Sequence, residues 1–210
     1  MPVASTTYNL NFTAVSLRPE LGRIIAERYL AVGNWAEAKD RVLASNALQC
    51  RSAASSIRLE RALRQRLQTL THEQINLLAQ GTAEDRAAMA WLAACKHIPF
   101  VFEFATEILR EKLVSHDPVL RNSDYEAYVE SKALLHPEIG RLTATSKNKV
   151  RQVLLRMLVE AGLLETGNAL GIIQRPVVSP AVVRAVTSDN PDWLAAFLIP
   201  QHQYADCLVR

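Results

Sequence analysis

The stretch TATSKNKVRQVLLRMLVEAGLL, from Thr143 to Leu164, decides the fold of the last third of the chain. Apolar residues recur in it every three or four positions, which predicts an amphipathic helix from about Thr145 to Ala161. The polar residues at its start suit an N-cap, and Gly162 suits a left-handed cap at its end. The stripe expected to face the core comprises Val150, Val153, Leu154, Met157, Leu158 and Ala161.

The residues on either side of this helix predict a winged helix-turn-helix. Pro137 starts a short helix before it. After it, Leu163 to Glu165 and Leu170 to Gln174 are short runs suited to strands. Gly167 and Asn168 between them favour a tight turn. Helix, turn, helix and β-hairpin is the order of a winged helix.

The residues before Asp117 predict a bundle of helices. Helical periodicity begins near Pro19, Asn34 suits the N-cap of a second helix, and a third helix runs from about Ser52 to Leu70. The Ala-rich segment that ends at Lys96 should be the most buried helix. The predicted fold class is mainly α, with an N-terminal helical domain over residues 1–117. A winged helix-turn-helix domain with C-terminal helices follows over residues 118–210.

The composition is that of a globular protein, with 49% hydrophobic and 21% charged residues. The longest apolar stretch, Ala87 to Cys95, is under half a membrane span, so no membrane partner is expected. An odd number of distant cysteines, Cys50, Cys95 and Cys207, fits buried thiols better than a disulfide framework. These features predict a cytoplasmic protein.

The net charge is only +3, so the distribution of charge matters more than its sum. The segment from Arg141 to Arg156 contains five basic residues and no acid. The segment from Arg41 to Arg66 contains six arginines and one acid, Glu60. Both segments are candidates for contact with a polyanion.

The helix from Thr145 to Ala161 has the side chains that DNA recognition requires. If its apolar stripe faces inward, Asn148, Arg151 and Gln152 face outward, where amides can pair with adenine and arginine with guanine. The candidates for phosphate contact in or near this module are Lys147, Lys149, Arg156, Arg141 and, from the wing, Arg175. The alternative is a winged helix used for protein contact, whose charges are merely solvated.

The arginines of the third helix form a second candidate surface, comprising Arg51, Arg58, Arg61 and Arg64. Each additional phosphate contact would strengthen DNA binding through counterion release. The alternative is equally weighted, because arginine is a good helix former and is common on exposed faces.

No arrangement of residues indicates catalysis, a metal site or a cofactor. Asp117, Glu130 and Lys132 resemble the acidic residues and lysine of metal-dependent nucleases, but the segment around Glu130 has helical periodicity rather than that of a strand. The cysteine and histidine spacing does not match a zinc site. Phosphate-loop, nucleophile-elbow and dinucleotide fingerprints are also missing.

Four blocks of sequence resemble the BrxA family of bacterial BREX phage-defence systems: YNLNFTAVSL, NWAEAKDRVLASNALQCRS, AWLAACKHIPFVFEFATEILREKL and LLHPEIGRLTATSKNKVRQVLLRMLVEAGLL. The resemblance covers roughly Tyr8 to Pro180. It implies a non-enzymatic component of a system that methylates host DNA and blocks phage replication. Family members have been likened to the helical RNA-binding factor NusB, and the apolar runs do not support the inner-membrane label that some carry.

The leading hypothesis is therefore double-stranded-DNA binding by an accessory protein of a defence complex. Two alternatives stay open. One is an adaptor that binds other BREX proteins, suggested by the modest net charge. The other is NusB-like RNA binding by the N-terminal helices.

Overall fold

The computed structural model describes residues 8, 10–165 and 170–204, and these residues are mainly helical. The α-helices are α1 (Pro19–Val32), α2 (Trp35–Ala44), α3 (Ala53–Leu67), α4 (His72–Gln80), α5 (Ala83–His97), α6 (Pro99–Glu103), α7 (Arg110–Val114), α8 (Asn122–Leu135), α9 (Pro137–Gly140), α10 (Ala144–Glu160) and α11 (Pro180–Thr187). A π-helical turn, Phe104–Leu109, joins α6 to α7. The 3-10 helices are Asn11–Ala14, Pro191–Phe197 and Gln201–Gln203.

Three short strands form a small antiparallel sheet, β1 (Val119–Leu120), β2 (Leu164–Glu165) and β3 (Gly171–Ile173), in the order β1-β3-β2. The pairing of β2 with β3 confirms the two predicted strands. The predicted turn at Gly167 and Asn168 lies outside the described residues. β1 was not predicted, because two residues are too few to carry a period.

Local capping chemistry sets the helix ends as the sequence predicts. The Asn34 side chain accepts hydrogen bonds from two backbone N–H groups of α2, and Ser52 caps α3. Capping boxes start α4 and α5. Gly162, at φ +70°, follows α10 in the left-handed conformation expected of it.

α5 is the most buried helix, as predicted, with every residue from Ala88 to Cys95 buried. The indole N–H of Trp91 donates to the Ala196 carbonyl at 2.8 Å, and the Gln74 amide donates to the Ala185 carbonyl at 2.9 Å. These bonds join the C-terminal helices to α4 and α5. The C-terminal helices therefore pack on the N-terminal bundle, although the predicted division assigns them to residues 118–210.

Residues on both sides of position 117 contribute to one continuous core. The Tyr128 hydroxyl on α8 donates to the Phe100 carbonyl at 2.8 Å. Lys132, also on α8, is bound by Glu103 and Glu107 at 2.5 and 2.7 Å. Burial lowers the pKa of Lys132, but the two carboxylates outweigh it and raise the pKa overall. The division at residue 117 stays a prediction that these contacts do not decide.

Candidate nucleic-acid interface

α10 buries one face and exposes the other, as its sequence period predicts. The Thr143 hydroxyl accepts from the Ser146 N–H at 3.2 Å, which caps the helix at its N-terminus. All six residues of the predicted apolar stripe are buried. The polar side chains therefore face outward from a helix whose position is set by the core.

The predicted contact residues of α10 lie on its outer face. Lys147, Lys149 and Arg156 are exposed, and no carboxylate of the described residues forms an ion pair with them. Asn148 and Gln152 are exposed as well, whereas Arg151 is half-buried. The cations on this face are therefore available to an anionic partner.

A groove of about 600 Å³ lies between α10 and the N-terminal bundle, and we call it the α1 groove. Lys149, Gln152 and Arg156 line it from α10, and Arg18 lines it from the start of α1. The remaining lining residues are Thr13, Ala14, Val15, Ser16, Leu21, Leu59, Val153 and Leu155. The fold thus places Arg18, which is distant in sequence from α10, across the groove from the predicted recognition helix.

Arg66 of α3 holds one wall of the α1 groove in place. Its guanidinium is buried and donates to the carbonyls of Phe12, Val15 and Ser16 at 3.2, 2.8 and 2.6 Å. Burial lowers the pKa of Arg66 to about 10, against the opposing charge of Glu160. This arginine is therefore structural, although its sequence neighbours Arg61 and Arg64 were candidates for phosphate contact.

Glu160 at the end of α10 holds the same wall from the other side. Its carboxylate accepts from the Ser16 hydroxyl at 2.8 Å and from the N–H groups of Leu17 and Arg18 at 2.7 and 3.3 Å. The backbone of Arg18 adopts the left-handed conformation, with a φ of 48°, which is uncommon for residues other than glycine. Its side chain is exposed and forms no ion pair with any described carboxylate.

A second groove, the α8 groove, lies on the other flank of α10 and has a volume of about 400 Å³. The Arg151 guanidinium there donates to the Asn122 side-chain oxygen at 2.5 Å and to the Asn148 oxygen at 2.9 Å. Two acids, Glu126 and Glu130, line the same groove, and Asn122 donates to Glu126. This flank therefore combines a restrained cation, Arg151, and an exposed cation, Lys147, with two acidic side chains.

The remaining lining residues of the α8 groove are Tyr125, Val129, Ala144, Lys147 and Asn148. Burial raises the pKa of Tyr125 to about 12, although the charge of Arg151 opposes the shift. Tyr125 therefore keeps its phenol proton at physiological pH and adds no negative charge to this groove.

The other predicted contact residues are dispersed. Arg141 is exposed just before α10, and Arg175 is exposed just after β3. Arg51 and Arg58 are exposed, whereas Arg64 is half-buried and forms an ion pair with the buried Glu60 at 2.7 Å. Of the four arginines predicted as a second phosphate-binding surface, Arg64 is therefore already paired with an acid.

Helical geometry separates the arginines of α3 further. Leu59 lines the α1 groove. Arg61 lies two residues later, about 160° away around the helix axis, and so projects from the opposite side. Both α3 and α10 line the α1 groove, but Arg61 of α3 lies on the side of its helix that faces away from the groove.

The three residues that resemble a nuclease motif do not converge. Asp117 forms ion pairs with Lys112 and Arg121, which hold the pKa of its carboxyl well below the usual range. Lys132 is occupied by glutamates of the N-terminal bundle, and Glu130 is exposed. Among the described residues, no group of histidine, cysteine, aspartate and glutamate side chains is arranged to hold a metal ion.

Two further findings concern the cysteines and the membrane. Cys95 is buried, which raises its thiol pKa, and Cys50 is half-buried, whereas Cys207 lies outside the described residues. No helix within residues 10–165 and 170–204 combines the length and the apolar character needed to cross a bilayer.

Sequence reasoning missed three residues that lie at or support the candidate interface, namely Arg18, Asn122 and Glu160. Arg18 and Glu160 are 142 positions apart, and no local pattern relates them. Asn122 was inconspicuous because its role depends on Arg151, which lies in another helix. Only tertiary structure brings these side chains to α10.

Comparison with known proteins supports one family. The family model described as BrxA matches residues 6–190. A protein named "BREX protein BrxA" from Escherichia coli O9:H4 (strain HS) is 27% identical over 144 residues, which cover 69% of this chain and 68% of that protein. One of the same name from Bacillus cereus (strain H3081.97) is 25% identical over 150 residues, covering 71% and 75% of the two chains.

A solved structure shares the fold. The crystal structure of an uncharacterized protein from Magnetospirillum magneticum superposes with a TM-score of 0.79 at 22% identity. The match covers 92% of this chain and 98% of that one. The arrangement of helices and small sheet is therefore found in an experimentally determined protein.

Proposed function

The chain belongs to the BrxA family, and we propose that it is a non-enzymatic, double-stranded-DNA-binding component of a BREX anti-phage defence system. The observation that carries the proposal is the exposed face of α10, where Lys147, Lys149 and Arg156 have no acidic partner among the described residues. The BREX setting comes from the names of the similar proteins in Escherichia coli and Bacillus cereus.

The proposal treats residues from β1 to β3 as a winged helix-turn-helix with α10 as the recognition helix. The order β1, α8, α9, α10, β2, β3, with β1 paired to β3, supports this assignment. A recognition helix must be fixed by the core and expose polar side chains along one face. α10 meets both requirements.

The contacts expected from α10 divide by chemistry. Asn148 and Gln152 would pair with adenine, and Arg151 with guanine. The residues that would contact phosphates are Lys147, Lys149, Arg156, Arg141 and Arg175, with Arg51 and Arg58 as more distant candidates. Duplex DNA fits this arrangement better than a single strand, because the lining of the α1 groove contains no aromatic side chain on which bases could stack.

The proposal is tested by fluorescence anisotropy with a labelled duplex over a range of salt concentrations. Substituting Lys147, Lys149 and Arg151 together by alanine should weaken binding about 30-fold or more and flatten the salt dependence. The matched control removes the same charge at Arg28, Lys39 and Arg184, none of which lines either groove. Equal affinity of wild type and the α10 variant would remove α10 as the site.

Competition experiments separate DNA from RNA. Unlabelled duplex DNA should displace the labelled probe at lower concentration than a structured RNA of equal length. Preferential displacement by RNA would instead support the NusB-like alternative. Co-purification of BREX proteins that survives nuclease treatment, in a chain with no measurable DNA affinity, would support the adaptor hypothesis.

A further inference from the structure

We propose that Arg18 binds a DNA phosphate together with Lys149 and Arg156, so that the N-terminal bundle forms one side of the DNA interface. This inference rests on the proposed function and extends it across the α1 groove. It adds a contact residue that lies outside the predicted winged helix-turn-helix.

Three unpaired cations converge on the α1 groove from two directions. Lys149 and Arg156 line it from α10, and Arg18 lines it from the start of α1. No described carboxylate forms an ion pair with any of them. Some other bases of the N-terminal bundle are paired, as Arg23 is with Glu20 and Glu27, whereas the exposed Arg28 has no ion pair with a described carboxylate but lines neither groove. The lining of this groove thus contains three cations and no acidic side chain, and Glu160 in its wall offsets only part of their charge, so the groove favours an anionic ligand.

The dimensions of the groove suit a DNA strand. Lys149 and Arg156 are seven residues apart, which places them about 10 Å apart along the helix axis. One DNA strand rises about 3.4 Å per base pair along the duplex axis, and its phosphates lie farther apart than this because the strand winds around the axis, so the spacing of the two cations spans about two successive phosphates. Leu21, Leu59 and Leu155 line the space between the cations and can pack against deoxyribose carbons. A sugar-phosphate backbone can use both the cations and the apolar side chains of this lining, whereas an isolated anion would use the cations alone.

The backbone at Arg18 is held in one position before any ligand binds. Glu160 accepts hydrogen bonds from the N–H groups of Leu17 and Arg18, and Arg66 binds the carbonyl of Ser16. The wall that carries Arg18 is therefore tied directly to α10. Such preorganisation lowers the entropic cost of binding.

The left-handed conformation of Arg18 allows a sharp experimental design. Its φ is 48°. Glycine tolerates this backbone region better than any other residue, so Arg18→Gly removes the cation without adding strain. Thermal unfolding should give an equal or higher midpoint than wild type. A loss of DNA affinity in Arg18→Gly then reports the missing side chain and not a damaged fold.

The experiment measures duplex affinity of the full chain as a function of salt. Arg18→Gly should weaken binding about three- to tenfold and reduce the slope of log affinity against log salt by about 0.9, the value for one phosphate contact. Arg18→Lys, which keeps the charge, should retain most of the slope. Arg184→Ala, at an exposed arginine of α11 outside both grooves, should match wild type.

The outcomes separate this inference from the proposed function. If substitution of Lys147, Lys149 and Arg151 weakens binding but Arg18→Gly binds like wild type, the inference is wrong and α10 remains the site. If neither variant affects binding, the proposed function fails as well. A slope that falls equally for Arg18→Gly and Arg184→Ala would attribute the effect to net charge and overturn the inference.

Discussion

The two grooves beside α10 differ in how their cations are held. In the α1 groove, Lys149 and Arg156 have no acidic partner among the described residues. In the α8 groove, Arg151 is bound by two asparagine oxygens, and two glutamates line the groove together with the exposed Lys147. A single helix thus has one flank whose groove is lined by cations without an acidic side chain and one flank where two cations face two glutamates. The segments packed against a basic helix, and not its own sequence, decide which of its charges are available.

Under the proposed function, this difference would orient α10 on the DNA duplex. A recognition helix in the major groove lies between two phosphate backbones. The backbone beside the α1 groove would meet Lys149 and Arg156, whereas the backbone beside the α8 groove would meet Lys147 together with Glu126 and Glu130. We therefore expect the stronger backbone contact on the side of the N-terminal bundle.

The largest expected effect follows from removing the residue that supports the α1 groove. Arg66→Met deletes a buried guanidinium that satisfies three carbonyls, so the free energy of unfolding should fall by about 2–4 kcal/mol. Urea denaturation measures the change. Arg61→Met, on the exposed side of the same helix, should stay within about 0.5 kcal/mol of wild type. Equal stability of Arg66→Met and wild type would show that the segment from Phe12 to Ser16 keeps its position without this side chain.

A smaller effect should come from the α8 groove and have the opposite sign. Replacing Glu126 and Glu130 by glutamine removes two charges that repel a nearby phosphate. Each repulsion is about 0.4 kcal/mol at about 10 Å in water, so duplex affinity should rise about three- to fivefold at low salt. The gain should shrink at high salt because the charges are exposed and screened.

The control for this prediction replaces Glu73 and Glu84, two exposed glutamates of α4 and α5, by glutamine. It changes the net charge equally but lies outside both grooves. Identical gains in the two double variants would mean that net charge alone acts. Weaker binding after substitution of Glu126 and Glu130 would contradict the assigned difference between the flanks.

The helical elements could be predicted because their signals are local. The stripe of α10, the Asn34 cap and the left-handed Gly162 depend on residues within one or two turns. The β2–β3 pairing was predicted for the same reason. β1 could not be, because its two residues become a strand only by pairing with β3. The winged helix-turn-helix assignment stays a proposal that the element order supports.

The candidate site was predictable only in part, because exposure and pairing depend on tertiary contacts. Arg61, Arg64 and Arg66 lie close together in one helix. Arg61 is exposed, Arg64 is paired with Glu60, and Arg66 is buried against backbone carbonyls. The sequence alone does not distinguish these three arginines, whereas their different burial and contacts in the fold do. Arg18 shows the converse, since an unremarkable residue becomes a candidate contact through the fold.

The most direct test of the proposed interface is a charge reversal confined to the α1 groove. Lys149→Glu combined with Arg156→Glu should reduce duplex affinity about 100-fold or more near physiological salt, because two phosphate contacts are lost and two repulsions are added. The matched control, Lys39→Glu with Arg184→Glu, changes the net charge equally outside the groove and should bind within about threefold of wild type. Both double variants should retain the thermal unfolding midpoint of wild type. Equal losses of affinity in the two double variants, or no loss in the first, would contradict DNA binding at the α1 groove.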